Sequence, residues 1–338
     1  MLTIDGDMGE GGGQILRTAL TLSLCQGRAF RIVNIRRRRN NPGLRAQHLA
    51  AVNAAATIGH AEVRGADLGS REIIFKPQQP AAGQYHFDIG TAGSTSLVLQ
   101  TLLPPLMTAS AGSRITLVGG THNPLAPSFE YLHYVYLPLL RRMGAKVSAQ
   151  MDRAGFYPAG GGSITVDIET IAQLQPLTLL QRGKLKSLSA YALLAHLPEH
   201  IAERELQVLQ TELQLERSKL HTQILDSANG QGNVLLLVIE SEYCNEVICG
   251  FGRRGLRAET VARQVVNDAR RYLDAAVPVG QHLADQLILL LALAGSGSYR
   301  TLEPDSHTRT NIDVIRAFTE VHISCEREDI QRWRVTVD

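Results

Sequence analysis

Aromatic side chains make up only 5% of this chain, with a single tryptophan among them. A general single-strand RNA-binding module stacks bases on many aromatic rings, so that function is disfavoured. The net charge of +2 is equally too small to demand a polyanionic partner, although Arg36 to Arg39 form an unbroken local run. No run of 18 uninterrupted apolar residues is present, and no charged leader with an apolar core precedes the first predicted strand. A cytoplasmic protein with no membrane partner is the expectation. The four cysteines, Cys25, Cys244, Cys249 and Cys325, are dispersed. Only Cys244 and Cys249 are neighbours, and one such pair cannot complete a zinc site, so reduced structural thiols are expected. Two nucleotide fingerprints are missing as well: Gly183–Lys184 is followed by Leu185, which rules out a P-loop, and Gln14 stands where a dinucleotide loop needs glycine.

What is there is repetition. Three times the sequence runs through an apolar helix, a turn, a short strand, a second helix and two more strands. The copies open at GGQILRTALTLSLCQG, at AGSTSLVLQTLLPPLM and at ADQLILLLALAG. In each, the first helix is apolar nearly all round and should be buried, whereas the second carries one apolar stripe. The unit is β-α-β-α-β-β. Two copies abut, and the third opens at about Val277, leaving roughly a hundred residues that follow another pattern, with strands LKSLSAYALLAHL, KLHTQILD, NVLLLVIES and EVICGFG and two helices. Such a set can bury its own core. The expected fold class is therefore α/β of the α+β type: one discontinuous domain of three repeated units over 1–180 and 277–338, and a smaller inserted α/β domain over 181–276.

Candidate chemistry gathers in a few places. Gly6 to Arg17, GDMGEGGGQILR, sets glycines around Glu10 and opens a helix, a natural anion site. On that helix Gln14, Arg17 and Thr18 share a face. Arginine forks at Arg36 and Arg39 suit phosphate oxygens, and Gln47 and His48 open the next helix. His307, flanked by Asp305 and Ser306 at a helix start, fits no apolar periodicity and is a candidate functional group.

Six motifs in order, GEGGGQILRTAL, PGLRAQHL, GGTHNPLAPSFEY, GFYPAGGG, HLADQL and HTRTNI, span essentially the whole chain, and in them it closely resembles the RNA 3′-terminal phosphate cyclases. The resemblance implies three repeats, similar to the C-terminal domain of translation initiation factor three, interrupted by an insert of thioredoxin-like topology. It also implies ATP-dependent conversion of an RNA 3′-phosphate to a 2′,3′-cyclic phosphodiester in RNA processing or repair. In that chemistry His307 would take AMP from ATP and pass it to the RNA end, giving RNA(3′)pp(5′)A, before the 2′-OH closes the ring and expels AMP.

Roles follow from the same resemblance. Glu10 would meet Mg²⁺ or Mn²⁺, while Gln14, Arg17, Arg36, Arg39, Gln47 and His48 would bind phosphates of ATP or the RNA end. Pro127 and Tyr131 would sandwich adenine, and Gln100 with His282, Leu283, Ala284, Asp285 and Gln286 would complete the nucleotide pocket, Asp285 orienting His307. The insert contributes none of the motifs, so it should be separable from the nucleotide chemistry. Two departures concern phosphate contacts: Ala154 stands where many relatives have a basic residue, and Arg38 where they often have glycine. The alternatives are a non-catalytic cyclase-like factor in ribosomal RNA processing, which would lack the His307 nucleophile, and an enolpyruvyl transferase, which needs six repeats. Beside RNA and ATP, a homodimer is the other partner considered.

Overall fold

The computed structural model describes all residues, Met1–Asp338. The first unit comprises β1 (Leu2–Asp5), α1 (Gly13–Gln26), β2 (Phe30–Val33), α2 (Ala46–Ile58), β3 (Glu62–Arg64) and β4 (Ile73–Lys76). The second comprises β5 (Gln84–Asp88), α3 (Thr95–Met107), β6 (Ser113–Gly119), a second helix in the segments α4 (Phe129–Tyr131), a π-helical turn (Leu132–Tyr136) and α5 (Leu137–Arg142), then β7 (Lys146–Arg153) and β8 (Gly162–Glu169). β9 (Leu177–Leu179) comes next. The insert holds β10 (Leu185–Ala195), α6 (His200–Leu213), β11 (Leu220–Ile224), β12 (Gly232–Ser241), β13 (Asn245–Phe251) and α7 (Ala258–Ala275), and the chain ends with α8 (Gln281–Ala294), β14 (Gly297–Thr301), α9 (Ser306–Phe318), β15 (Ile323–Arg327) and β16 (Trp333–Val337).

Each unit forms one four-stranded sheet with the same order. In the first it is β1-β2-β4-β3, in the second β5-β6-β8-β7, and in the third β9-β14-β16-β15. The first pair is parallel and the remaining pairs antiparallel in every case. Here the structure corrects one expected boundary. The third unit does not open at Val277: its first strand is Leu177–Leu179, which pairs in parallel with β14. The insert therefore lies inside the third unit, between its first strand and its first helix. Three residues with only two inward positions, Leu177 and Leu179, are too short a pattern to be recognised beforehand.

The first helices are buried as expected. Ile15, Leu16, Ala19, Leu20 and Leu22 of α1 are almost wholly inaccessible, as are Leu99, Leu102 and Leu103 of α3 and Leu283, Leu287 and Ile288 of α8. They join one core of 70 buried residues that runs through all three units.

The insert's sheet has the order β11-β10-β12-β13, with β10 and β11 parallel and the others antiparallel, in keeping with the thioredoxin-like topology that the family resemblance implies. Its core is not wholly its own, however. Along β12, Leu235, Leu237 and Ile239 point to α6 and α7, while Val234, Leu236 and Val238 join the core of the repeats. Burial on both faces explains why the strand reads as a continuous apolar run, where a half-exposed strand would alternate.

Candidate functional site

Loop β1–α1 and the start of α1 form the floor of the site. The helix opens at Gly12, whose lack of a side chain leaves the first-turn N–H groups without a side-chain cap. The glycines here make room for functional groups. A Cβ on Gly12 would fall 2.1 Å from Glu10 Oε1, one on Gly13 2.3 Å from His48 Nε2 and 3.1 Å from Arg17 Nη1, and one on Gly9 2.0 Å from Thr310 Oγ1. Glu10, Arg17 and His48 thus crowd one uncapped helix end, an arrangement that suits an anion.

His307 comes to the same place from the third unit. Asp305 caps α9 by accepting from the Thr308 N–H at 2.8 Å, which leaves His307 at the helix start with half of its side chain exposed. Its Nδ1 lies 3.0 Å from Gln14 Oε1 and 3.8 Å from Glu10 Oε1. Gln14 in turn donates from Nε2 to Asp285 Oδ2 at 2.7 Å. Asp285 was expected to orient His307; in the structure Gln14 stands between them, bonded to both. When Asp285 is ionised its carboxylate accepts, so the amide presents Nε2 to Asp285 and Oε1 to His307. In that arrangement the histidine proton sits on Nδ1 and the lone pair is on Nε2, for which no hydrogen-bond partner is present.

Burial, with Asp305 nearby, pushes the Asp285 carboxyl up to about 7, against the pull of the Gln14 hydrogen bond and Arg17. Burial also lowers the Arg17 guanidinium, with Asp285 and Glu10 opposing. His48 is driven down to about 3 by burial and by Arg17, Arg36 and Arg45. It is neutral at pH 7. Since its Nδ1 accepts from the Arg45 N–H at 3.1 Å, its proton sits on Nε2 over Gly13. His48 therefore offers a hydrogen bond and no positive charge.

The arginine run is neither a free solvated loop nor a bare phosphate clamp. Arg36 ties its own loop through Asn41 O at 2.7 Å and Gly43 O at 3.0 Å. Arg38 pairs with Asp7 Oδ1 at 3.0 Å and reaches Gly9 O at 3.2 Å. Arg39 pairs with the Glu10 carboxylate and donates to Glu10 O at 2.8 Å. Between them, Arg38 and Arg39 hold the glycine loop.

A pocket of about 70 Å³ lies behind this floor, lined by Gln14, Arg17, Gln100, Tyr136, Asp285 and Gln286 among others. Gln100 donates to Gln286 Oε1 at 2.6 Å across it. Other expected residues are not gathered there. Leu283 and Ala284 are 0% and 1% exposed, on the face of α8 that packs into the core, so their side chains cannot line a nucleotide pocket. His282 is exposed beside Asp268 of the insert. Gln47 points to α3, where its Oε1 accepts from the Ser94 N–H at 3.2 Å. Pro127 is half-buried, and Tyr131 is 4% exposed with an unpartnered hydroxyl, leaving little ring face for a base.

Thr18, expected on the Gln14 face, is joined by Thr310 and Asn311, which were not singled out beforehand. Thr18 donates to Asn311 Oδ1 at 2.7 Å, Asn311 Nδ2 donates to Asp285 O, and Thr310 Oγ1 accepts from the Glu10 N–H at 3.0 Å. Helical spacing, which put Thr18 on the face of Gln14, could likewise have found Asn311, four residues beyond His307. No group of three or more His, Cys, Asp or Glu side chains is arranged to hold a metal ion. No helix is long and apolar enough to cross a membrane.

Comparison with known proteins decides the family. A model described as "RNA 3'-terminal phosphate cyclase" matches residues 8–325. The chain belongs to the RNA 3′-terminal phosphate cyclase family. It is similar to proteins of that name from Pseudomonas fluorescens, 50% identical over 96% of this chain and 94% of the relative, and Koribacter versatilis, 47% identical over 97% and 93%. Another, from Salmonella typhimurium, is 46% identical over 96% of each chain. Like these cyclases it is an enzyme of the ligase type. Among solved structures, the enolpyruvyl transferase NikO from Streptomyces tendae is 10% identical with a TM-score of 0.37 over 98% of this chain and 47% of that one, too slight a likeness to carry an argument.

Proposed function

We propose that this protein converts an RNA 3′-terminal phosphate to a 2′,3′-cyclic phosphodiester at the expense of ATP, with His307 as the adenylylated nucleophile. The observation that carries this reading is the chain Asp285–Gln14–His307, which ends on a free Nε2 beside an uncapped helix start. An imidazole with its proton fixed on Nδ1 is a competent nucleophile near pH 7. Nε2 attacks the α-phosphorus of ATP, an N–P bond forms and pyrophosphate leaves. An oxygen of the RNA 3′-phosphate then attacks the same phosphorus, the N–P bond breaks, and RNA(3′)pp(5′)A results. Finally the 2′-oxygen attacks the 3′-phosphorus, losing its proton, and AMP departs. The closure is intramolecular, so positioning alone supplies much of its acceleration.

Around this path the α1 N–H groups, the Arg17 guanidinium and the His48 Nε2–H offer donors to phosphate oxygens, where charge develops during transfer. Arg39 would exchange its partner Glu10 for a phosphate. A divalent ion, Mg²⁺ or Mn²⁺, fits Glu10 as a single hard oxygen ligand completed by phosphates and water, consistent with its enclosed carboxylate. It would supply charge neutralisation for the leaving pyrophosphate. Gln100 and Gln286 are assigned to the nucleoside end, which requires their mutual hydrogen bond to part, since the pocket it spans is smaller than a nucleoside. Within this scheme residues 181–276 form the inserted domain, although it shares its inner sheet face with the repeats.

A non-catalytic role in ribosomal RNA processing has no observation in its favour while His307 is present. The test uses α-labelled ATP, which should leave acid-labile, base-stable label on the protein, and His307→Ala should abolish it without changing the melting temperature. With an RNA ending in 2′-deoxyribose 3′-phosphate, the adenylylated end should accumulate; with ribose, a phosphatase-resistant end. Covalent AMP retained on His307→Ala would overturn the assignment.

A further inference from the structure

Helix α8 delivers Asp285 and Gln286 to the site, yet it has no side-chain cap of its own, because its N-cap is Gly280. The group at that helix end comes from the insert. Glu246, on β13, is 5% exposed; its Oε1 accepts from the Val247 N–H at 3.0 Å, and its Oε2, which has no hydrogen-bond partner of good geometry, faces Gly280. The approach is so close that a Cβ on Gly280 would lie 2.0 Å from that oxygen. Gly280 has an ordinary φ of −73°, so only the carboxylate excludes a side chain there. Around it the insert grips both neighbouring segments. Cys244 Sγ and Tyr272 Oη both donate to Pro278 O, at 3.1 and 3.2 Å, and Asn245 Nδ2 donates to Tyr134 O at 3.2 Å in the π-helical turn.

We infer that Glu246 is a positioning residue of the catalytic site, a cap supplied in trans by the insert that sets where α8 starts and so where Asp285 meets Gln14. A negative group beside a helix N-terminus is favoured by the free N–H groups and the helix dipole. Asp285 lies little more than one turn inside that terminus, and from it the contacts run through Gln14 to His307. The insert is thereby tied to the nucleophile, which the absence of family motifs in it did not suggest. The inference builds on the function proposed above, and its first readout does not depend on that function.

The titratable and charged groups facing Glu246 are few. Tyr131 and Tyr272 lie close enough for its charge to raise their hydroxyls, and Cys244 and Cys249 respond in the same way. Burial raises the Glu246 carboxyl itself to about 7, with the Val247 and Gly280 N–H groups favouring its charge.

Three variants of the full-length protein test this: Glu246→Ala, Gly280→Ala and the double variant. Hydrogen exchange of the amides from 281 to 286, followed by mass spectrometry, should speed up about tenfold or more in each single variant, roughly 1.4 kcal/mol of lost protection. The KM for ATP in self-labelling should rise about tenfold while labelling at saturation changes little. In the double variant the new methyl occupies the space vacated by the carboxylate, so KM should fall back toward that of Glu246→Ala rather than rise further. Glu246→Gln, which keeps the shape and an acceptor, should retain most of the protection. Wild-type exchange and wild-type KM in both single variants would overturn the positioning role. If the wild-type protein takes no label from ATP, the proposed function fails, while the exchange measurement still decides the role of Glu246.

Discussion

The N-termini of α1 and α3 occupy the same place in the first and second units, and they are finished in opposite ways. At α3 three N–H groups are taken up: Ser94 Oγ accepts from the Leu97 N–H at 3.2 Å, Gln47 Oε1 accepts from the Ser94 N–H, and Gly120 O takes the Thr95 N–H at 2.9 Å. At α1 the N-cap is Gly12, the nearest side chains are Glu10, Arg17 and His48, and no side chain caps the N–H groups. One helix end is closed by its own serine, whereas the other has no side-chain cap and is fronted by the Glu10 carboxylate. A repeated fold supplies equivalent positions, and under the proposed function the chemistry uses the one without a side-chain cap.

Making α1 resemble α3 should therefore have the largest effect. Gly12→Ser places a cap like Ser94 at the open end, and its Cβ displaces the Glu10 carboxylate, now 2.1 Å from where that carbon must sit. Self-labelling by ATP should fall by about 100-fold or more, roughly 2.7 kcal/mol in barrier, with little loss of melting temperature. Labelling near the wild-type rate would show that the open end is not used.

Asp285 supplies a sharper test because its titration can be followed in two ways. Its carboxyl is raised to about 7 from an ordinary value of 3.8, so its contribution to stability is complete below about pH 4 and is lost as pH rises through about 7. Labelling should run the other way, rising through the same window as the ionised carboxylate becomes the acceptor for Gln14. Asp285→Asn keeps an acceptor without the titration: part of the pH dependence of the melting temperature should vanish, and labelling should drop about tenfold, on the order of 1.4 kcal/mol. Unchanged pH profiles for both quantities would remove Asp285 from the chain.

Arg39→Ala should follow, with labelling slowed about tenfold, again on the order of 1.4 kcal/mol, because it frees Glu10 and removes a phosphate donor. Arg36→Ala differs. Its ties to Asn41 O and Gly43 O make it a loop-holding residue in this structure, so part of its effect should appear as melting temperature. Rate measurements paired with thermal melts separate the two arginines, and equal profiles would count against the distinction.

The triplicated pattern was legible because α1, α3 and α8 are apolar nearly all round, and buried helices announce themselves over many residues. β9 was not, since Leu177–Leu179 is too short for periodicity and its partner β14 lies across the whole insert. At the site, His307 and the glycine loop were legible because neither fits a packing pattern. Spacing along the chain could not show that Gln14 would come between Asp285 and His307, nor that Glu246 would meet Gly280, since both depend on the angles at which helices and sheets cross. The inward direction of the Leu283 and Ala284 side chains was hidden for a related reason: a motif names consecutive residues, while a helix sends them to different faces.

The smallest expected effect lies at the closed end. Ser94→Ala removes the side-chain cap of α3 and should cost about 1 kcal/mol of stability, the usual worth of an N-cap serine. The Ser94 N–H keeps Gln47 Oε1, and the Thr95 N–H keeps Gly120 O, so the helix start should stay in place. Self-labelling by ATP should then change less than about twofold, under roughly 0.4 kcal/mol. Calorimetry alongside the labelling assay would check this. A large loss of labelling without a loss of stability would mean that the second unit's helix end also touches substrate, and the contrast between the two ends would fall.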